Sequence, residues 1–217
     1  RTTDRALTAG LLSRGYVWTW TLASLIAFEA IAYHLGSLCF KLSPIPLILA
    51  WLYPLAKRFT WTSHFILGAV LGIAPYGAWL ASRGSFSWIP GLITIGVLTW
   101  VAGFDMIYAL QDEEFDRREG LFSFPARHGY KSTLLFTRIL HASTFMCWLA
   151  AGFFAHLGAV YFFGMLLVGA FLLREHWLIQ SFGLKKMNEA FFTMNAVVSI
   201  SVFITAFLDL FLSRVRL

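Results

Sequence analysis

Long apolar runs divided by short polar breaks make up most of this chain. Seven runs, at about 15–34, 37–56, 62–82, 88–110, 133–155, 157–174 and 190–212, have the length of a membrane-spanning helix, which takes about 20 largely apolar residues. None alternates apolar and polar residues with period two, and all are too long for the strands of a membrane barrel. Pro44, Pro46, Pro54, Pro75 and Pro90 fall near helix starts or where kinks are expected. Neighbouring helices can satisfy the backbone groups that such prolines free. The pattern predicts an all-α fold, a polytopic transmembrane helix bundle.

Composition strengthens this reading. Of 217 residues, 59% are hydrophobic and 13% charged, whereas a soluble domain carries about 25% charged residues. The surplus apolar surface has to face a lipid bilayer. A net charge of +6 could suggest nucleic acid, but the cations are scattered between the spans rather than gathered in a patch. No nucleic-acid partner is expected. Cys39 and Cys147 lack metal-ligand spacing and read as small buried hydrophobes.

The cations say more about orientation. With the N-terminus in the cytoplasm, the inner segments hold twelve Lys and Arg: Arg1, Arg5, Arg14, Lys57, Arg58, Arg117, Arg118, Arg127, Lys131, Arg174, Lys185 and Lys186. The outer segments hold four, Lys41, Arg83, Arg214 and Arg216, and Arg138 lies inside the fifth span. The positive-inside rule favours this arrangement, although the basic C-terminus runs against it. It sends "RTTDR", "YPLAKR" and "YALQDEEFDRREG" to the cytoplasmic side.

The last of these stretches carries the candidate chemistry. On a continuous helix extending the fourth span, Asp112 lies about −20° and Asp116 about +20° from Asp105, with Tyr108 at about −60°. Glu113, Glu114 and Glu119 then fall toward solvent. Like charges such as Asp112 and Asp116 at i,i+4 destabilise a bare helix by a few tenths of a kcal/mol, and a cation between them would reverse that. Hard oxygen ligands suit Mg²⁺ rather than zinc, with water and substrate phosphate completing the shell. A solvated, charged helix end is the other reading of the same spacing. Lys57 and Arg58 close the second span, as membrane anchors or as cations for a pyrophosphate. Gly120 is a helix stop, and Ser123 with Pro125 would cap and start a short turn. The stretch "GLFSFPARHG" is thus a candidate lid, with Arg127, His128 and Lys131 as possible phosphate contacts. Glu29 and Asp209 are ionisable residues within apolar spans and carry no assigned role.

These residues resemble the UbiA superfamily of intramembrane prenyltransferases. "DMIYALQDEEFDRREGLFS" resembles the second aspartate-rich motif of that family, met at Asp105, Tyr108, Ala109, Asp112, Asp116, Gly120, Leu121 and Ser123. "YPLAKR" resembles its Y-x-x-x-K-R at Tyr53, Lys57 and Arg58. "RTTDRAL" resembles its R-T-x-x-R-P-L, with Ala6 in the place of proline. Around Glu175, His176, Asn188 and Asn195 the chain is similar to the 4-hydroxybenzoate polyprenyltransferase-like branch, which includes the futalosine-pathway menaquinone type.

The resemblance implies a nine-helix fold, of which about seven helices are present. The first aspartate-rich motif and the two helices around it are expected ahead of residue 1, so residues 1–217 read as one integral-membrane domain lacking them. It further implies Mg²⁺-dependent transfer of a polyprenyl group from polyprenyl pyrophosphate to the ring carbon of an aromatic acid, 4-hydroxybenzoate or a dihydroxynaphthoate. Asp112 and Asp116 are the expected metal ligands, with Asp105 and Tyr108 in the same catalytic site. Tyr53, Lys57, Arg58 and Arg5 are the expected pyrophosphate-binding residues, with Arg1 as a further candidate. The implied place is a bacterial inner membrane, with the active site facing the cytoplasm. A transporter is the rival from another class, but it would gather charge near the bilayer midplane. A CDP-alcohol phosphotransferase would require a D-G-x-x-A-R ahead of the aspartates, which is absent. An inactive membrane-embedded scaffold is the third alternative.

Overall fold

The computed structural model describes residues 5–215. Arg1 to Asp4, which hold part of the expected N-terminal motif, and Arg216 lie outside the described residues. Among those described there are seven helical spans long and apolar enough to cross a membrane, and no strand.

The helices are α1 (Arg14–Leu35), α2 (Ser37–Leu42), α3 (Pro44–Ala56), α4 (Ser63–Arg83), α5 (Trp88–Ala109), α6 (Glu113–Arg118), α7 (Phe124–Phe154), α8 (Ala159–Phe182) and α9 (Met194–Val215). α2 and α3 together make one span, interrupted at Ser43, where Pro44 and Pro46 supply no backbone N–H. The Ser43 hydroxyl donates to the Glu29 carboxyl at 2.7 Å. This gives Glu29 on α1 a partner at the α2–α3 junction. Each long helix packs chiefly on its neighbours in the chain, in the order α3, α4, α5, α7, α8, α9.

The tightest helix contact is α4 on α5. A Cβ on Gly68 would collide with the Leu98 carbonyl oxygen, and one on Gly72 would come within 3.0 Å of the Thr94 carbonyl oxygen. Small residues four apart let two backbones approach closely. Thr94 and Leu98 on α5 run antiparallel to Gly72 and Gly68, so the next turn of α4, at residue 64, is set toward the C-terminal end of α5.

Two boundaries differ from expectation. α7 starts at Phe124 rather than near 133, because Ser123 accepts a hydrogen bond from the Ala126 N–H and Pro125 sits in the first turn. Its axis breaks at Gly129, with φ 78° and ψ 171°. α8 continues to Phe182 rather than ending near 174. The reason is that Glu175 and His176, which look like a polar helix end in sequence, are buried.

Candidate active site

Seven alternating crossings place the α3–α4 connection and the α5–α6–α7 connection at the same membrane face. The α5 helix does not run straight on into its acidic extension. Leu110–Asp112 form a tight 3₁₀ turn, and α6 starts afresh at Glu113 after a non-helical Asp112 (φ −103°). A 3₁₀ turn has about 3.0 residues per turn, so the uniform 100° step that would put the three aspartates on one continuous face does not hold. Asp105 nevertheless bonds to His64 in the first turn of α4, and Asp116 to Lys57 at the end of α3, seven residues earlier in the chain.

Asp116 is 2% exposed. Its Oδ2 accepts from Lys57 Nζ at 3.1 Å. A buried carboxylate with a cation at hydrogen-bonding distance has the geometry that burial of charge demands. The pair joins the Y-x-x-x-K-R stretch to the aspartate-rich stretch across 59 positions of sequence. Asp105 Oδ2 lies 2.6 Å from His64 Nδ1, and His64 is fully buried. Tyr53, half-buried on α3, lies within electrostatic reach of Asp105. Asp112 is half-buried at the head of α6. Tyr108 packs its ring on Phe191 at a tilt of 36°, with centroids 4.2 Å apart.

Two of the expected cations stand apart. Arg58 is exposed, and its guanidinium has no partner among the described residues. Arg5 is exposed in a turn ahead of α1, where Ala9 N–H and the Thr8 hydroxyl bond to its carbonyl, and its guanidinium is likewise unpartnered among the described residues. Arg5 forms no ion pair with the carboxylates among the described residues. Among the described residues no three His, Cys, Asp or Glu side chains assemble into a ready-made metal cluster.

The stretch after α6 is tied down. Gly120 turns the chain with φ 65°, Phe122 N–H donates to the Lys57 carbonyl at 2.6 Å, and Phe124 N–H donates to His64 Nε2 at 3.4 Å. Phe124 also stacks on Phe136 and lies edge-on to Trp61. His128 packs its ring on Phe124 and Trp61. Arg127 and Lys131 are exposed.

An aromatic stripe leads away from the site into the membrane. Trp100, Phe104 and Tyr108 recur every fourth residue on α5. Phe104 meets Phe191 at 5.4 Å, and Trp100 meets Trp148 at 5.7 Å. Phe191 is delivered by a π-helical turn, Glu189–Thr193, a distortion often found at functional sites. The sequence reading missed His64 and Phe191. His64 could have been found from its spacing, His-x₃-Gly-x₃-Gly on one helix stripe. Nothing in the sequence marks the π turn.

A second polar cluster lies inside the bundle. His176 Nε2 is 3.0 Å from His141 Nδ1, and Glu175 Oε2 is 3.7 Å from the same nitrogen. Glu175 is fully buried, and neither of its oxygens has a hydrogen-bond partner among the described residues. Of the other two residues singled out with them, Asn188 is exposed and Asn195 donates to the Phe191 carbonyl at 2.6 Å.

Residues 1–197 match the model of the UbiA prenyltransferase family. The chain is 27% identical over 207 residues to a 4-hydroxybenzoate octaprenyltransferase of Francisella tularensis subsp. mediasiatica, covering 95% of this chain and 72% of that protein. It is 26% identical over 197 residues to the 4-hydroxybenzoate octaprenyltransferase of Yersinia pseudotuberculosis, covering 91% of this chain and 68% of that protein. Among solved structures it is similar to the apo structure of a UbiA homolog from Aeropyrum pernix. The TM-score is 0.87 and the identity 32%, over 97% of this chain and 78% of that one.

Proposed function

The chain belongs to the UbiA prenyltransferase family, and from that premise we propose that it transfers a polyprenyl group from a polyprenyl pyrophosphate to a ring carbon of an aromatic acid. The observation that carries this reading is the Lys57–Asp116 pair. It sets a cation and a buried carboxylate side by side at one membrane face, where a pyrophosphate head could lie while its tail stays among apolar helices. We assign that face to the cytoplasm of a bacterial inner membrane, on the charge asymmetry of the loops.

The reaction breaks the allylic C–O bond of the donor and releases pyrophosphate. The allylic cation is attacked by the ring carbon ortho to the acceptor hydroxyl, and the ring then loses a proton. Lys57, with Arg58 beside it in the chain, would bind the pyrophosphate oxygens and stabilise the charge that builds on them. Asp112 and Asp116 are the residues that would hold a Mg²⁺. Their hard oxygen donors fit that ion, and with no group of three ligands assembled among the described residues, the remaining ligands would be substrate phosphate and water. When bound, Mg²⁺ would act as a Lewis acid on the departing phosphoryl oxygens. Asp105, its side chain partly exposed, would orient the acceptor or take its proton, with Tyr53 and Tyr108 beside it. The faces of Trp100, Phe104 and Tyr108 would lie along the prenyl chain, where aromatic quadrupoles attract a cation and water is excluded.

4-Hydroxybenzoate is the acceptor suggested by the printed names of the relatives, and a dihydroxynaphthoate is the competing acceptor. The test is transfer in detergent or liposomes by the purified protein, with Mg²⁺, a polyprenyl pyrophosphate and both acids in competition. Formation of a prenylated acid supports the proposal, and the ratio of products names the acceptor. No transfer to either acid overturns it.

A further inference from the structure

Beyond the residues that would touch substrate, the geometry points to His64 as the positioning residue of this site, a role that rests on the prenyl-transfer reading. We infer that His64 fixes which oxygen of Asp105 faces the substrates and couples that carboxylate to the strap, residues 119–124, through the first turn of α7.

Three observations support this. The first is the bonding of the ring. The Phe124 backbone N–H donates to Nε2 at 3.4 Å. In a neutral imidazole only one nitrogen can accept, so the proton sits on Nδ1 and points at Asp105 Oδ2, 2.6 Å away. The tautomer is set by the backbone of a different helix, and no side-chain partner is left to choose. With Oδ2 engaged by the ring, Oδ1 is the oxygen left to meet a substrate.

The second is the placement of the ring. His64, Gly68 and Gly72 form one stripe of α4. The two glycines let this stripe press onto the carbonyls of Leu98 and Thr94. The approach is backbone against backbone, so the His64–Asp105 bond inherits a rigid frame rather than depending on two flexible side chains. A site held to sub-ångström tolerance needs this kind of support behind its reacting groups.

The third is the strap. Phe124 N–H is one of the first N–H groups of α7 and has no partner within its own helix. His64 supplies one. Together with the Phe122 N–H bond to the Lys57 carbonyl, it fastens the strap at both ends of the α3–α4 connection, to Lys57 and to the first turn of α4. The strap begins three residues after Asp116, so movement of α7 would be felt at both carboxylates.

The experiment compares the wild-type protein with His64→Ala and His64→Asn, by transfer kinetics and by hydrogen exchange at the Phe124 amide. In His64→Ala, kcat is expected to fall about 10–100-fold, the range for removing a residue that orients a reacting group. The KM for the polyprenyl pyrophosphate should stay unchanged, because Lys57 and Arg58 are untouched, and the Phe124 amide should exchange faster. His64→Asn keeps a donor near the Nδ1 position but has no acceptor at Nε2. It should therefore recover most of kcat while the Phe124 amide still exchanges fast. A merely structural histidine would not give that split. The inference is overturned if His64→Ala keeps the wild-type kcat, if His64→Asn is as slow as His64→Ala, or if the Phe124 amide is equally protected in all three proteins. Absence of transfer by the wild-type protein would instead overturn the functional reading. The two failures are told apart because amide exchange is measured without substrate.

Discussion

His64 and His141 are both buried imidazoles near a carboxyl group, but their surroundings differ in kind. Around His64 the ring is bonded on both sides, to Asp105 and to Phe124 N–H, and a cation–carboxylate pair lies close by in Lys57 and Asp116. Around His141 the carboxyl oxygens of Glu175 have no hydrogen-bond partner among the described residues, and no Lys or Arg forms an ion pair with that cluster. The first group is drawn from five separate elements, the end of α3, α4, α5, α6 and α7, meeting at a membrane face. The second is drawn from two helices packed side by side within the bilayer. On the proposed reading, the carboxylates bonded beside a cation at the membrane face are where a charged substrate arrives. On the same reading, the fully buried carboxyl without a partner holds helices together and serves no reaction. The variants below set the two groups against each other.

The largest effect is expected from Asp116→Asn. It removes a proposed metal ligand and leaves the Lys57 ammonium without its buried partner. Transfer should fall by about 10²–10³, the usual consequence of removing one group that stabilises developing charge. The residual rate should respond weakly to added Mg²⁺. A rate near wild type, titrating normally with Mg²⁺, would remove the face cluster from the chemistry and erase the contrast.

Next in size is Gly68→Ala. The added methyl meets the Leu98 carbonyl oxygen, which is backbone and cannot swing away. Overpacking of this kind costs about 1–3 kcal/mol, read as a lowered unfolding midpoint in detergent. Because His64 lies one turn along the same stripe, transfer should fall further than the loss of folded protein explains. Equal losses of stability and rate would show that the α4–α5 seam supports the fold but does not aim Asp105.

The contrast also separates what was legible in the sequence from what was not. The seven spans could be read from apolar runs alone, since lipid leaves little other use for twenty apolar residues. The motifs around Lys57 and Asp116 could be paired by resemblance. Polar residues misled at two helix ends. Arg127, His128 and Lys131 made the start of α7 look like loop, though Ser123 and Pro125 already signalled a capped helix. Arg174, Glu175 and His176 made α8 seem to stop early, because sequence cannot show that Glu175 and His176 turn inward. The break at Leu110–Asp112 has no glycine or proline to announce it. That is why a continuous helical face was a reasonable expectation for the aspartates and why it does not hold. His64 stayed hidden for another reason: its meaning lies in the glycines that follow it and in a backbone N–H sixty residues away.

A third buried carboxylate gives a measure of bonding without chemistry. Asp209, on α9, accepts from Gly158 N–H at 2.6 Å and from Tyr161 N–H at 3.3 Å. It caps the start of α8 at the membrane face opposite Lys57, where an anion also matches the positive end of the helix dipole. Asp209→Ala should cost about 1 kcal/mol, as loss of a helix cap does, and leave kcat of the folded protein unchanged. A drop in kcat larger than this stability loss would mean that a carboxylate at the opposite membrane face also serves the reaction.

The smallest effect is expected inside the bundle, and it is the sharpest test of the comparison. Glu175→Gln keeps the shape of the side chain and replaces a carboxyl that has no donor with an amide able to donate toward His141. Replacing a poorly satisfied buried polar group with one of matching shape is often neutral or stabilising. Stability should therefore hold or rise slightly, and transfer should stay within about twofold of wild type, below 0.5 kcal/mol in transition-state terms. If the variant were instead as impaired as Asp116→Asn, Glu175 would have to exchange a proton or a contact with the reacting site through His141 and Gly103 of α5, against which that ring packs. The orphaned oxygens would then be a resource of the reaction, and the two clusters would be parts of one machine.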